Sequence, residues 1–394
     1  MYQPSARHIP ELNGFRVLMV FVVSWFHIWQ QSWLTPYVGG VSLDFLVRAG
    51  YVPVDGTILL SGFLLFLPYA RHMLLGERMP EARAFYRRRV MRVVPSYTFV
   101  TLLTLFAVAL PNHLYASPRA MWTDLAAHLT WTFTFFRGTY MGTQLGGASW
   151  TLVIEAQMYL LFPLLAACAV KRPGRVTLAL LALAWGFRAY CVLTMREYGM
   201  VLNQLPNMLD LYAMGMAAAV IYVRLTTLWP KSRARRLIWE TAATALLAVA
   251  VALLVRALKA QASTQGIDVL QRMQMLRRPL FGGLMALMLL TLPFALRPVR
   301  LLFGNKLMDA LAAISMNYYL VHQTVAVQLK RLGIPASEYD APHQAGDRPW
   351  QLLYTALAFG LSLLLAALIT FLVEKPCAAL LARAFRRLDA RKRF

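Results

Sequence analysis

Long apolar runs alternate with short polar segments along almost the whole chain. About ten windows are long enough to cross a bilayer as α-helices, which takes about 20 residues each. They lie at residues 14–34, 52–72, 93–111, 148–169, 176–196, 207–227, 238–258, 279–297, 305–329 and 350–373. The stretch 121–136 is amphipathic and carries Asp124 and His128, which predicts a helix at the membrane surface. The pattern predicts an all-α polytopic membrane protein with about ten transmembrane helices in one bundle.

Composition supports this interpretation. Of 394 residues, 59% are hydrophobic and 14% are charged, values typical of polytopic membrane proteins rather than soluble enzymes. The first apolar run has no clear cleavage site, so we expect it to remain as the first helix. The three cysteines lack metal-ligand spacing, and no metal site is expected. We predict one transmembrane domain over residues 1–376 and a basic cytoplasmic tail over residues 377–394.

The net charge of +23 raises the question of nucleic-acid binding, but the basic residues sort by loop. Most of them fall in alternate segments, which is the positive-inside pattern. This predicts that both termini are cytoplasmic and that the partner is the lipid bilayer, not nucleic acid. One predicted outer loop departs from the pattern, so either its boundaries differ or it binds an anion; its basic residues are Arg256, Lys259, Arg272, Arg277 and Arg278.

Ionisable residues inside the apolar windows are candidates for function, because charges in hydrocarbon are costly. Arg16 and His27 are eleven residues apart in the first window. On a helix this spacing places them on nearly one face, about 16 Å apart along the axis. Threading the helices alternately through the bilayer puts a further group in the outer half: Asp55, Glu155, Arg188, Asp210 and His322.

His27 is a candidate general base, since a neutral imidazole can accept a proton from a hydroxyl near neutral pH. Either Asp55 or Glu155 could orient it as a carboxylate partner. The structural alternatives are a histidine hydrogen-bonded to a neighbouring helix, and a Glu155 that is the counter-ion of Arg188.

Guanidinium groups line the predicted inner face, where they can bind phosphate oxygens bidentately. The alternative is that they set the topology and contact anionic lipid headgroups. The residues are Arg16, Arg87, Arg88, Arg89 and Arg92.

Six segments, in order, resemble those of a known family. They are residues 11–16 with His27, 54–63 (VDGTILLSGF), 85–97 (FYRRRVMRVVPSY), 149–163 (SWTLVIEAQMYLLFP), 314–322 (ISMNYYLVH) and 373–376 (VEKP). Together they resemble the acyltransferase 3 family of integral-membrane acyltransferases. The match runs from about residue 11 to residue 376.

The resemblance implies an Arg-x10-His motif at Arg16 and His27, with the histidine acting in acyl transfer, and an Arg-x-x-Arg motif at Arg89 and Arg92. It implies a bacterial inner or plasma membrane location and no permanently bound cofactor. The donor would be acyl-CoA, often acetyl-CoA, held by Arg16, Arg89 and Arg92. The acceptor would be a hydroxyl of a surface glycan or glycolipid.

On this interpretation His27 either deprotonates the acceptor or accepts the acyl group itself. Asp55 and Glu155 are the catalytic carboxylates that would orient it. The predicted substrate-binding residues are Arg188, Tyr318 and His322. Of these, Arg188 and Tyr318 are candidate donors of hydrogen bonds to the oxyanion. Two other hypotheses use the same polar residues: a transporter or flippase, and a membrane sensor without turnover.

Overall fold

The structure, a computed structural model, describes residues 4–5 and 7–391 and is almost entirely helical. The first helices are α1 (Glu11–Ser32), α2 (Asp44–Arg48), α3 (Val54–Leu75), α4 (Ala82–Thr104), α5 (Pro118–Leu129), α6 (Arg137–Tyr140), α7 (Trp150–Lys171) and α8 (Pro173–Thr194). The others are α9 (Leu209–Thr227), α10 (Arg233–Ala262), α11 (Ile267–Thr291), α12 (Arg297–Phe303), α13 (Lys306–Arg331), α14 (Pro342–Ala345), α15 (Arg348–Ile369) and α16 (Lys375–Arg391). A two-stranded antiparallel hairpin, β1 (Tyr37–Val38) and β2 (Val41–Ser42), follows α1.

Nine helices of the described residues are long and apolar enough to cross a membrane. The predicted span at 305–329 is α13, a helix of 26 residues. It falls outside those nine because Asp309, Asn317 and Gln323 make it more polar. The prediction of an all-α polytopic protein is confirmed, and the chain is a multi-pass membrane protein.

Contacts divide the chain into two compact units. The first comprises the N-terminal residues up to Phe26, Thr35–Pro80 and Leu160–Ala312. The second comprises His27–Leu34, Glu81–Tyr159 and the residues from Ala313 onward.

The first unit is organised around the close packing of α3 and α9. A Cβ atom built on Gly215 would lie 2.2 Å from the carbonyl oxygen of Leu59, and one on Gly62 would lie 2.8 Å from the carbonyl oxygen of Tyr212. Small residues let two helix backbones approach this closely, which is a common way of packing helices in membranes. The glycines therefore set the distance between these helices.

In the second unit, a buried cluster joins the end of α1 to α13 and α15. Ile28 packs with Ala326, Leu329 and Tyr354 in this cluster. The Tyr354 hydroxyl also donates a short hydrogen bond to the carbonyl of Ala326. This packing holds the part of α1 that carries His27 against α13.

The basic residues predicted to form an outer loop lie within α10 and α11, so the predicted loop boundaries are wrong. Residues 263–266 alone separate the two helices. Arg277 donates to the carbonyl of Ala260 at 3.0 Å and to the side-chain oxygen of Gln261 at 2.8 Å. Arg278 is fully buried. Hydropathy windows end too early here because internal partners satisfy these charges.

The surface helix predicted over 121–136 is shorter than expected. Ser117 caps α5 by accepting a hydrogen bond from the N–H of Ala120 at 3.2 Å, and Pro118 occupies the first turn. The helix ends at Leu129, shortly before Trp131 adopts a φ of 61°.

The predicted basic tail is helical as far as the structure describes it. Its residues up to 391 belong to α16, which continues α15 through a π-helical turn at Thr370–Glu374. Residues 392–394 of the predicted tail lie outside the described residues.

We expect Gly215→Ala to destabilise the protein, because its methyl group meets the backbone of α3. Overpacking of this kind costs about 1–3 kcal/mol, which thermal melting in detergent will show as a lower melting temperature. Gly186→Ala on α8 is the matched control, since nothing lies within 4 Å of a Cβ at Gly186. Equal melting temperatures for the two variants would contradict the role given to Gly215.

Candidate functional site

Two histidines lie against each other in the second unit. His27 on α1 and His322 on α13 have ring centroids 5.3 Å apart, with their planes tilted by 46°. His322 is fully buried, whereas His27 is half-buried. The pair therefore combines an imidazole that a substrate can reach with one that is held by packing.

Hydrogen bonds to the Nδ1 atoms define which nitrogen carries the proton in each neutral ring. Nδ1 of His322 lies 2.7 Å from the carbonyl oxygen of Tyr319, and Nδ1 of His27 lies 3.1 Å from the side-chain oxygen of Gln30. Because each oxygen can only accept, each Nδ1 donates and each Nε2 carries the lone pair. Nε2 of His322 is buried and has no hydrogen-bond partner among the described residues. The arrangement presents basic nitrogens in apolar surroundings.

Tyrosines surround the buried member of the pair. Tyr318 stacks on His322 with ring centroids 5.9 Å apart and an interplanar angle of 18°, and the ring of Tyr319 lies 5.4 Å from it. Tyr319 also hydrogen-bonds Thr151 and interacts electrostatically with Tyr140. These contacts connect α13 with α7 and α6.

Glu155 on α7 accepts a hydrogen bond of 2.6 Å from the hydroxyl of Tyr159, one turn further along the helix. The guanidinium of Arg89 lies over the ring of Tyr159, 5.5 Å from its centroid, and equally far from that of Phe85. Nε of Arg89 is buried and has no hydrogen-bond partner among the described residues. The carboxylate is thus linked to the arginine helix α4 through one tyrosine.

The other arginines of α4 differ in their contacts. Arg87 donates to the carboxylate of Asp389 on α16, once at 2.8 Å, and lies over the ring of Phe385 at 4.9 Å. Arg87 is therefore paired with an acidic side chain of the protein, whereas Arg88 and Arg92 are exposed.

Glu374 is a polar centre to which the sequence analysis gave no role. Its carboxylate accepts hydrogen bonds from Asn317 on α13 at 2.6 Å and from Ser96 on α4 at 3.5 Å, and lies within electrostatic range of Arg92. It closes the π-helical turn Thr370–Glu374, a feature that often marks functional positions in helices. Glu374 belongs to the VEKP segment that the sequence analysis identified. Its role was missed because Asn317 and Ser96, to which it is hydrogen-bonded, are distant in sequence.

Two ion pairs lie inside the first unit. Arg188 donates to both carboxylate oxygens of Asp210, each at 2.6 Å, and to the side-chain and main-chain oxygens of Asn207 at 2.7 and 2.6 Å. Asp55 accepts a hydrogen bond of 3.1 Å from Nε of Arg278. The counter-ion of Arg188 is Asp210, and Glu155, the alternative considered from sequence, bonds Tyr159 instead.

The predicted site residues thus fall into separate groups. The second unit brings His27 together with His322 and Tyr318, and Glu155 together with Arg89. Asp55 and Arg188 belong to the first unit, where both form ion pairs. Arg16 lies half-buried in the part of α1 that belongs to the first unit. The oxygen that orients the imidazole of His27 comes from Gln30, an amide that the sequence analysis passed over.

We expect Arg188→Leu to destabilise the protein strongly, because it leaves the buried carboxylate of Asp210 without a counter-ion. Breaking a buried pair costs about 3–5 kcal/mol, whereas removing both charges is often nearly neutral. The double variant with Asp210→Leu should therefore melt at a higher temperature than Arg188→Leu alone. Arg175→Leu, an exposed arginine of the same helix, is the control. A double variant no more stable than the single one would contradict the counter-ion role.

Comparison with known proteins points to one family. A family model described as "Acyltransferase domain" matches residues 9–370. The peptidoglycan O-acetyltransferase OatA of Listeria monocytogenes is 25% identical over 173 residues, which cover 40% of this chain and 24% of OatA. The acyltransferase MdmB of Streptomyces mycarofaciens is 25% identical over 175 residues, covering 44% of this chain and 43% of MdmB. The chain thus spans less than half the length of each relative. No solved structure matches the chain significantly.

Proposed function

This chain belongs to the acyltransferase family whose model it matches over residues 9–370, and on that premise we propose that it is a membrane O-acyltransferase. The proposed donor is cytoplasmic acyl-CoA, and the proposed acceptor is a hydroxyl of a glycan outside the cytoplasm. The observation that carries the proposal is the His27–His322 pair, whose Nε2 atoms are the basic nitrogens. The similarity to OatA, a peptidoglycan O-acetyltransferase, supports a polysaccharide acceptor.

Direct transfer uses Nε2 of His27 as the general base. It takes the proton of the acceptor hydroxyl while the hydroxyl oxygen attacks the thioester carbonyl. The new C–O bond forms, the C–S bond breaks, and the imidazolium returns the proton to the CoA thiolate. The half-buried position of His27 suits this role, because a base must reach its substrate.

A two-step route uses the same atoms in another order. Nε2 of His27 attacks the thioester, CoA leaves as the thiolate, and the acyl group is held on the imidazole. The acceptor oxygen then takes the acyl group from the imidazole, and the hydroxyl proton passes to the CoA thiolate. His322, fully buried with its ring 5.3 Å from that of His27, is the proposed positioning residue for His27.

Two further residues of the second unit have proposed roles around this reaction. Tyr318, stacked on His322, is the proposed donor to the developing oxyanion, because the N–H groups of Arg188 are largely committed to Asp210 and Asn207. Glu155 is a positioning residue, since it bonds Tyr159, over which Arg89 lies. We assign Asp55 to holding Arg278 within the first unit.

The donor's phosphates are proposed to bind at Arg89 and Arg92. The buried Nε–H of Arg89 lacks a hydrogen-bond acceptor among the described residues, and leaving such a donor unsatisfied costs about 1–3 kcal/mol. A phosphate oxygen satisfies it with a charge-assisted hydrogen bond. Arg92, three residues further along α4, is exposed and adds positive charge. Arg16, in the first unit, stays a prediction from the family motif.

We expect His27→Ala and His27→Gln to lose acyl transfer by about 10²–10⁴-fold, the usual contribution of a general base. The assay follows CoA release from acetyl-CoA by nanodisc-embedded protein, with and without soluble peptidoglycan fragments. The melting temperature should stay close to that of the wild type, and His8→Ala, which removes an exposed histidine, is the control. Unchanged turnover in both His27 variants would overturn the proposal and favour the transport hypothesis.

We expect Arg89→Ala to weaken CoA binding by about 10- to 150-fold, because a charge-assisted hydrogen bond contributes roughly 1.5–3 kcal/mol. Arg89→Lys keeps the charge but lacks the guanidinium fork, and should fall in between. Calorimetric titration with CoA measures the dissociation constants. Arg175→Ala makes the same charge change at an exposed site, and equal effects of Arg89→Ala and Arg175→Ala would contradict a specific phosphate contact.

A further inference from the structure

A cavity of about 1140 Å³ is lined by α5, by Tyr115 and Ser117 just before it, and by the chain that follows it up to Gly142. Ligand sites in proteins commonly measure roughly 300–1,000 Å³, so this volume holds more than one sugar-sized unit. The whole cavity lies within the second unit. The alternation of helices predicts that this segment lies outside the cytoplasm, on the side of the proposed acceptor.

The lining combines two exposed aromatic rings with hydroxyl groups. Trp122 is 62% exposed and Phe136 is 60% exposed. Six lining residues carry hydroxyl groups, and Arg119 adds a guanidinium; the hydroxyl residues are Tyr115, Ser117, Thr123, Thr130, Thr132 and Thr139. The face of an aromatic ring carries partial negative charge, which attracts the C–H groups on one face of a sugar ring. The threonine hydroxyls can hydrogen-bond to sugar hydroxyls. An acyl chain has no polar groups with which to form such bonds.

A buried network of hydrogen bonds around Asp124 holds one wall of the cavity in place. Asp124, which lines it, accepts hydrogen bonds from the hydroxyls of Tyr115 at 2.8 Å and Thr143 at 3.1 Å and from the N–H of Gln144 at 3.1 Å. Its other oxygen lies 3.2 Å from Nδ1 of the buried His128. Burial raises the pKa of the Asp124 carboxyl, but these hydrogen bonds, that of His128 foremost, outweigh it and hold the pKa below its ordinary value. A wall ordered in advance lowers the entropic cost of binding.

The cavity wall is connected to the histidine pair through α6. Thr139 lines the cavity, and the next residue, Tyr140, interacts with Tyr319. The carbonyl of Tyr319 accepts the hydrogen bond from Nδ1 of His322. A second connection is the N–H of Ala148, which donates to the side chain of Gln323 at 3.1 Å.

We propose that this cavity binds the saccharide part of the acceptor, with Trp122 and Phe136 stacking on sugar rings. That the bound saccharide is the acyl acceptor rests on the proposed function. Saccharide binding itself can be measured without the reaction. An alternative occupant is a membrane lipid, since exposed aromatic rings also anchor proteins at the bilayer surface. The threonine hydroxyls favour the saccharide.

The test measures binding of maltotetraose and chitotetraose to nanodisc-embedded protein by saturation-transfer NMR, without any acyl donor. We expect at least one tetrasaccharide to bind, Trp122→Ala to weaken that binding about tenfold, and Trp122→Phe to keep most of it. Phe106→Ala removes an aromatic ring of similar exposure, 63%, outside the cavity and should leave binding unchanged. No binding of either sugar, or equal loss in Trp122→Ala and Phe106→Ala, would overturn the proposal.

The same variants separate this inference from the proposed function. If sugar binding depends on Trp122 while His27→Ala leaves turnover unchanged, the cavity assignment stands and the reaction assignment fails. If turnover depends on His27 but Trp122→Ala and Phe106→Ala share the wild-type KM for acceptor, the cavity assignment is wrong. Lipid contacts to Trp122 in the same spectra, together with no binding of either sugar, would identify the cavity as a membrane anchor and overturn the proposal.

Discussion

Neutralising charge inside an apolar bundle is the constraint on which the first unit depends. Its buried charges include two ion pairs whose members lie on α3, α8, α9 and α11. An isolated ion at such depth costs several kcal/mol, so each charge needs a partner on another helix. The pairs Asp55–Arg278 and Arg188–Asp210 therefore determine which helices are neighbours. Asp55–Arg278 joins α3 to α11 and Arg188–Asp210 joins α8 to α9, while the contact between α3 and α9 themselves is made by Gly62 and Gly215.

The polar groups at the centre of the second unit are of a different kind. Around the histidine pair they are imidazoles and phenols. A nitrogen of His322 and an N–H of Arg89 have no hydrogen-bond partner among the described residues, and in the first unit one oxygen of Asp55 and one N–H group of Arg278 also have none. Leaving such groups unsatisfied lowers stability. A protein tolerates that loss where a bound ligand supplies the missing partner, which is the role proposed above for the phosphate at Arg89.

The sequence predicted the elements better than the contacts between them. Apolar runs and the position of His27 are local signals, and the helices appear where those runs lie. The partner of Asp55 was missed because Arg278 is 223 residues away and was counted as part of a loop. Glu374 was visible only as part of a motif, since its partner Asn317 is 57 residues away on another helix. Side chains that meet across the bundle leave no trace in hydropathy.

The C-terminal helix has a mechanical consequence. From Arg348 to Ala390 it runs unbroken for 43 residues, which makes it about 64 Å long, roughly twice the hydrocarbon thickness of a bilayer. Near its middle, Glu374 is tied to α13, the helix of His322, and near its end Asp389 is tied to Arg83 and Arg87, beside Arg89. Through these side chains the C-terminal helix contacts both α4, which carries the arginines, and α13, which carries His322. Because both contacts are made by one continuous helical element, a displacement of α4 is resisted by the contacts of α13, and the reverse holds as well.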